Sequence, residues 1–378
     1  MKILIDARLY GLENTGIGRY TMGLVDSLSK VDKKNQYLLL LREKYYRELK
    51  LPKNWKKVLC EIKHYSLSEQ IKLPRIIKKY SPYLTHFVHF NVPVSFRGKF
   101  VVTIHDLLMH RQKGLEATTL PPYAYLAKRL GYKFVFRNAV LNARKIITPS
   151  HAVKNEIISY YKSSQEKLAV IYEGVTPLKI GEDTGKVLSK YALKGNYFIY
   201  TGNAYPHKNL ERLIRAFMSL NKDSNEKYSL AIVCSRDFFT KKLEKTIGKM
   251  KAGESIKLLG FVPDSELGTL YKNALAFVSP SLSEGFGLPG LEAMLAGTPA
   301  LVSDIAVFRE VYKDNSIYFD PYSSSLIEKG LREVISLDPT KREEIIRKGE
   351  KFARSYSWDK MGRETLKIYE SCARLRSG

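Results

Sequence analysis

Ser279-Pro280-Ser281-Leu282-Ser283-Glu284-Gly285-Phe286-Gly287-Leu288-Pro289-Gly290-Leu291-Glu292 is the stretch on which the reading of this chain turns. An apolar run from Ala274 to Val278 leads into it and reads as a buried strand bounded by turn residues. Gly285 and Gly287 make a loop, Pro289 suits the first helical position, and Leu291, Met294 and Leu295 recur at helical spacing. Strand, glycine loop and helix N-terminus together form a place where unpaired backbone N–H groups and the helix dipole attract phosphate. Two carboxylates flank it, Glu284 in the loop and Glu292 about one turn into the helix. Carboxylates hold phosphate poorly but accept hydrogen bonds from sugar hydroxyls. A loop offering both suits a phosphate joined to sugars. The plainer alternative is an ordinary strand-to-helix turn with surface glutamates at either end.

Upstream, the strand Tyr197–Thr201 runs into Gly202-Asn203-Ala204-Tyr205-Pro206-His207-Lys208-Asn209 and a helix over Leu210–Leu220. Gly202 permits the turn, and Lys208 arrives at a helix N-terminus as a point positive charge, the parts of a phosphate clamp. Further strands are expected at Ser229–Val233, Ile256–Gly260, Leu275–Ser279, Pro299–Ser303 and Ile317–Phe319, which embeds the glycine loop in a parallel sheet. A polar helix follows over Thr340–Phe352, and a last one runs to Arg374. The loose stretch from Glu173 to Gly195, with Gly181, Asp183 and Gly185, reads as an interdomain linker.

The N-terminal half repeats the α/β alternation. Residues 2–6 read as a strand, Gly11 to Gly18 as a loop, and Ile17, Thr21, Leu24, Val25 and Leu28 as one face of a helix. The loop Thr15-Gly16-Ile17-Gly18-Arg19-Tyr20 is a poor dinucleotide fingerprint, because its third glycine would be Thr21 and no acidic residue ends a second strand. NAD and FAD are therefore excluded there. Strands follow at Tyr37–Leu41, His86–Phe90 and Phe100–Ile104, separated by basic helical stretches that include Ser68–Tyr80. The third of these ends in His105-Asp106, a polar pair at the end of a parallel strand where ligands bind in doubly wound sheets, although a lone histidine is more often a satisfied core group. Residues 107–137 read as one long basic and aromatic helix, including Tyr123 and Tyr125. Lys145–Pro149, a helix from His151 capped by Ser150, and Leu168–Tyr172 complete this half.

At 378 residues the chain is long enough for two or three domains. Its three cysteines are scattered, with no metal-ligand spacing, which argues against disulfides or zinc and fits a reducing compartment. No apolar run approaches the ~18 residues needed to span a bilayer, and the start is a short strand, not a signal peptide. The expected location is the cytoplasm, or the membrane surface if the basic face is a docking surface. The formal net charge is +25. Residues 42–80 hold twelve Lys or Arg against four Glu, and residues 110–145 hold eight against one, both with aromatics interleaved. Such segments suit an anionic membrane surface or, less well, nucleic acid; a solvated basic face is the third reading.

The glycine loops at 15–20 and 202–209, His105-Asp106, Glu284-x7-Glu292 and the Ser-Trp-x-Lys start of the final helix occur in one order. With them the whole chain resembles the retaining glycosyltransferases of family 4, and Tyr-Thr-Gly-Asn-Ala-Tyr-Pro-His-Lys-Asn-Leu is most similar to their mannosyltransferase-like members. The resemblance implies the GT-B fold: two Rossmann-like, doubly wound parallel-sheet domains facing across a cleft. Residues 1–174 with a crossover helix 357–378 would bind acceptor, and residues 175–356 the nucleotide sugar. It implies that Glu284 accepts hydrogen bonds from the transferred sugar and that backbone at Gly285, Phe286, Gly287 and Leu288 holds sugar and diphosphate. Glu292 would bind the ribose hydroxyls, Lys208 would neutralise the diphosphate, and backbone at Gly260, Phe261 and Val262 would meet the base. Gly16 and Gly18 would let the first domain close on the phosphates, and His105 would approach the anomeric carbon. Arg19, Asp106, Tyr123 and Tyr125 are expected on the acceptor side. One position departs from the pattern: many members carry an arginine five residues before the lysine, where this chain has Asn203. Lys208, helix N-termini, Arg19 or His207 would have to compensate.

The same resemblance implies front-face attack with retention, no divalent metal and no cofactor beyond the nucleotide sugar itself. GDP-mannose is the favoured donor, a UDP-hexose the alternative, and a glycan or lipid-linked hydroxyl the acceptor. Two other classes stay open on the residues alone. One is a GT-B sugar-nucleotide epimerase, since a fold does not fix an activity; the other is a non-catalytic protein whose basic surface binds membrane or nucleic acid.

Overall fold

Seven parallel strands make the first sheet: β1 Lys2–Asp6, β2 Gln36–Leu41, β3 Trp55–Leu59, β4 Leu84–Phe87, β5 Phe100–Thr103, β6 Lys145–Thr148 and β7 Leu168–Val170. Their order is β3-β2-β1-β4-β5-β6-β7. The second sheet has six: β8 Tyr197–Thr201, β9 Ser229–Val233, β10 Ile256–Gly260, β11 Phe277–Ser279, β12 Ala300–Ser303 and β13 Ile317–Phe319, in the order β10-β9-β8-β11-β12-β13 and also parallel throughout. The computed structural model describes residues 1–111, 121–163, 165–235 and 237–374. The chain divides into two units, Met1–Gly174 with Ser357–Gly378, and Val175–Tyr356.

Both sheets are buried on both faces, which is why their strands read as near-continuous apolar runs such as Tyr37 to Leu41 and Phe198 to Tyr200. Each unit has its own core. The second is built on Phe198, Leu213, Phe217, Ile232 and Val278; the first lies on both sides of its sheet, around Phe87, Phe100 and Phe136 and around Ile5, Leu24 and Tyr369. The last helix, Trp358–Arg374, returns to the first unit and packs on helix Thr15–Val31. Gly23 and Gly174 lie against Trp358 so closely that a Cβ on either would overlap it, and Tyr369 Oη meets Nδ1 of the buried His86 at 2.6 Å.

Parallel strands with right-handed crossovers leave a crevice beyond the strand C-termini wherever the order reverses. In the first sheet this point lies between β1 and β4, in the second between β8 and β11. The loop after β8 carries Lys208 and the loop after β11 carries Glu284.

Several boundaries differ from the sequence reading. β3 falls inside a stretch read as helical: Lys56 is exposed and Lys57 half-buried while Trp55 and Val58 turn inward, a short, basic edge strand whose charges mask its alternation. β4 ends at Phe87 instead of Phe90, and β11 starts at Phe277: Ala274 N still donates to Tyr271 O in the turn after helix Asp264–Lys272, although Leu275 N already donates to Tyr197 O of β8. Gly16 and Gly18 are not in a loop but in the first turn of helix Thr15–Val31. Segment 107–137 contains two helices, Leu108–Arg111 and Pro122–Asn142; the rest of that expected helix, 112–120, lies outside the described residues, as do 375–378 of the expected last helix. Within 173–195 Asp183 caps a helix, Thr184–Lys190, by accepting from Lys186 N at 2.8 Å. Among the described residues no helix is long and apolar enough to cross a membrane.

Candidate functional site

In the second unit the two loops at the crossover point are tied together. Leu282 N donates to His207 O at 2.8 Å, and Asn209 Nδ2 donates to Pro280 O at 3.0 Å and to Pro321 O at 2.8 Å. Asn209 sits at φ 57, in the left-handed region that asparagine tolerates, and Arg212 Nη1 fixes its Oδ1 at 2.7 Å. Lys208, the residue before it, therefore projects toward the glycine loop. Its Nζ stands 2.5 Å from Glu284 Oε1, with the two side chains only 14% and 17% exposed. Ser281 Oγ donates to the same carboxylate oxygen at 2.7 Å. Burial pushes the Glu284 carboxyl up, but the Lys208 charge and the hydrogen bonds from Lys208 and Ser281 outweigh it, so the net shift is downward and the group is an anion.

The glycine loop ends at Gly287, with φ 106, the N-cap of helix Leu288–Leu295. Pro289 is thus the second helical residue, one place later than read. A glycine cap offers no side chain to the first-turn N–H groups, which leaves the helix end as a backbone donor surface. Gly287 and Gly290 are needed for packing as well, since a Cβ on either would run into the Tyr312 hydroxyl, which donates to Gly287 O. Glu292 is buried in the second turn, and Phe286 is buried against Tyr356. At the end of β10, Phe261 is exposed and Val262 buried. Asn203 O accepts from Tyr200 Oη at 2.7 Å, and a Cβ on Gly202 would stand 2.7 Å from that hydroxyl. The structure thus brings Gly202, Asn203, Lys208, Glu284, Gly285, Phe286, Gly287, Leu288 and Glu292 to the β8 and β11 ends of one sheet, with Phe261 and Val262 at the end of its edge strand. His207 does not replace the missing arginine: burial and the Lys208 charge, only partly offset by Glu284, lower it to about 4, so it is neutral near pH 7.

In the first unit His105 follows β5 with both ring nitrogens engaged, Nε2 to Val88 O at 2.9 Å and Nδ1 3.4 Å from the buried Glu173, and its ring edge on Tyr20. Asp106 accepts from Leu108 N at 3.0 Å and so starts the helix Leu108–Arg111. Arg19 is half-buried in helix Thr15–Val31. Tyr123 is exposed and Tyr125 half-buried at the start of helix Pro122–Asn142. Gly18 and Gly16 differ in kind. A Cβ on Gly18 would overlap the Gly11 carbonyl, whereas Gly16 has nothing within 4 Å. Only Gly16 is open to a ligand.

Sequence reasoning missed the charged group at the β1–β4 crossover point. The fully buried Arg8 donates from Nε and Nη2 to Asp6 at 2.7 and 2.6 Å, from Nη2 to Glu69 Oε1 at 2.7 Å, and from Nη1 to Ile62 O at 2.9 Å. Burial raises the Asp6 pKa and Arg8 more than reverses it. The signal available was Asp-Ala-Arg at the end of a buried strand.

Residues 188–352 match the family model for glycosyl transferases group 1, and residues 16–177 match that for glycosyltransferase family 4. The chain is 29% identical to the O-antigen chain mannosyltransferase RfbU of Salmonella typhimurium over 67% of this chain and 70% of that one. It is 25% identical to the O-antigen chain mannosyltransferase B of Escherichia coli over 98% of this chain and all of the other. Among solved structures it superposes on WaaG, a glycosyltransferase involved in lipopolysaccharide biosynthesis, with TM-score 0.74 at 15% identity, covering both chains completely. Anabaena Alr3699/HepE in complex with UDP and glucose gives TM-score 0.74 at 18% identity, covering 98% of this chain and all of that one.

Proposed function

Because the chain belongs to glycosyltransferase family 4, we propose that it moves a hexose, mannose favoured, from a nucleoside diphosphate sugar to a hydroxyl of a glycan or lipid-linked acceptor. The anomeric configuration is retained and no divalent metal is required. The observation that carries this reading is the half-buried Lys208–Glu284 pair held between two tied loops at the crossover point of the second sheet. Cleaving the sugar–diphosphate bond builds negative charge on the leaving oxygen, and fixed positive groups aimed there lower the barrier. Lys208 and the N–H groups at Leu288 supply them, in the place where other transferases use a metal ion.

Donor binding exchanges partners within the pair. The ammonium turns from Glu284 to the diphosphate, and the freed carboxylate accepts hydrogen bonds from hydroxyls of the sugar, which keeps both charges compensated. Glu292 takes the ribose hydroxyls, and the base lies over the backbone at Phe261 and Val262. Both glutamates are thereby occupied by sugars, so neither serves as a covalent nucleophile; the acceptor hydroxyl attacks from the face the diphosphate leaves and passes its proton to the departing phosphate oxygen as the sugar–diphosphate bond breaks. The acceptor is assigned to the first unit, and His105 and Gly16 are the residues of that unit taken to serve the transfer. Mannose is favoured by the two O-antigen chain mannosyltransferases this chain resembles.

The test is a thermal-shift panel of GDP, UDP, ADP and their sugars, followed by product analysis with the nucleotide sugar that stabilises most. A GDP-mannose shift and an α-linked mannoside product are expected. Stabilisation by no nucleotide sugar, or conversion of the donor without any acceptor, would overturn the proposal.

A further inference from the structure

Buried in the first unit is a chain of four polar side chains that reaches from the last helix to His105. Tyr369 Oη meets His86 Nδ1 at 2.6 Å, His86 Nε2 meets Thr103 Oγ1 at 2.8 Å, and Thr103 Oγ1 meets Tyr20 Oη at 2.8 Å. All four residues are at most 1% exposed. His86 on β4 and Thr103 on β5 share the sheet face of Ile5, Val101 and Ile147. Tyr20 and Tyr369 pack into the same core from helices Thr15–Val31 and Trp358–Arg374. Burial lowers the His86 pKa to about 3, so near pH 7 its ring is neutral, with one nitrogen donating and the other accepting.

At the other end, the Tyr20 ring stands edge to face with the His105 ring, their centroids 4.7 Å apart and their planes at 80°. Val88 O accepts from His105 Nε2 at 2.9 Å, and the Glu173 carboxylate lies 3.4 Å from Nδ1. The imidazole, 11% exposed, is thus held on three sides. Packing alone does not call for the chain behind Tyr20. An apolar set of the same shape would leave no hydrogen bond unmade, whereas loss of any one hydroxyl here strands a buried partner. The same two helices bury Ser27 Oγ and Thr365 Oγ1 with no hydrogen-bond partner among the described residues. Hydroxyls in this layer are therefore not paired as a matter of course. What the paired ones add is direction: each bond fixes the rotation of the next side chain, and the last of them is the ring against which His105 rests.

We infer that Tyr369 and Tyr20 are positioning residues: acting through His86 and Thr103, their hydroxyls fix the Tyr20 ring and with it the orientation in which His105 meets the transferred sugar. What His105 does there rests on the transfer reading; how its ring is held rests on these contacts alone.

The experiment compares Tyr369→Phe and Tyr20→Phe, each alone and combined with His105→Gln, with Thr365→Val as the control for a loosened last helix. Transfer kinetics and unfolding temperature are measured for each. The histidine-labelled NMR spectrum is recorded as well, in which His105→Gln identifies the His105 signal among the seven histidines. Each Phe variant is expected to lower kcat about fivefold with donor KM within about twofold of wild type, and to add no loss to His105→Gln. Each should also shift or broaden the His105 signal, and Thr365→Val should do neither, even where it lowers the unfolding temperature. An unmoved His105 signal in both Phe variants, a kcat loss that is the same with and without His105, an equal loss in Thr365→Val, or wild-type kcat in His105→Gln overturns the inference. A His105 signal that moves in a chain transferring no sugar from any donor refutes the transfer reading and supports the positioning.

Discussion

Lys208→Ala removes the positive charge on which the proposed chemistry depends. A unit charge about 4 Å from the leaving oxygen, at an effective dielectric of about 20, is worth about 4 kcal/mol. The Glu284 carboxylate, paired with the ammonium in this structure, is present in enzyme and variant alike and drops out of the difference. The bound diphosphate is already anionic, so about half of the attraction is present before the bond breaks, and only the remaining ~2 kcal/mol enters kcat. The lost charge-assisted hydrogen bond adds about 1 kcal/mol. A total near 3 kcal/mol is about a hundredfold in kcat. The fold is expected to lose much less, because Ser281 still donates to Glu284 and the carboxylate can reach water. The assay is release of nucleoside diphosphate at saturating donor, with the unfolding temperature measured alongside. A kcat within about threefold of wild type, with donor bound normally, would refute the electrostatic argument.

Four further outcomes are expected. Burial lowers His86, His89 and His110 in the first unit, His86 to about 3, His110 to about 4 and His89 well below its ordinary value, and lowers His207 in the second to about 4. All four are neutral when folded and protonated when unfolded between about 4 and 6.5. The unfolded chain therefore binds more protons in that window, and stability falls as pH falls from about 6.5 toward 4. The first unit should lose about 4 kcal/mol per pH unit and the second about 1.4, readable by calorimetry from pH 7 to 4.5; a flat profile contradicts it. Gly18→Ala forces the Gly11 carbonyl to move and should cost about 2 kcal/mol. Gly16→Ala should instead leave stability equal or higher, by up to about 1 kcal/mol, while donor affinity drops about tenfold if that backbone meets the phosphates. Chemical denaturation and calorimetric donor titration separate the two effects. Arg8→Met leaves the Asp6 and Glu69 carboxylates buried without their cation and should cost on the order of 3–5 kcal/mol in thermal denaturation.

The glycine loop was legible because its parts are consecutive: an apolar strand, two glycines, a proline and two acids between Ala274 and Glu292 carry the local structure without help from the rest of the chain. Lys208 was legible for the same reason, as the end of a strand–loop–helix unit. Its distance to Glu284 was not, since 76 residues separate them and only the order β10-β9-β8-β11-β12-β13 makes their loops neighbours. Arg8 stayed hidden because its partner Glu69 is 61 residues away and looks like one more charge in a basic helix. Gly18 looked like half of a ligand loop, whereas its glycine is required by Gly11, a contact set by how the preceding turn folds back. β3 was lost to its lysines, which mask the alternation of Trp55 and Val58.

The most direct measurement is a crystal structure with the stabilising nucleotide sugar bound. The expected result has Lys208 Nζ on the diphosphate instead of on Glu284, the Glu284 carboxylate on sugar hydroxyls, the N–H groups at Leu288 on phosphate oxygens, and Glu292 on the ribose. A nucleotide lodged elsewhere, with the Lys208–Glu284 pair unbroken, would contradict the account.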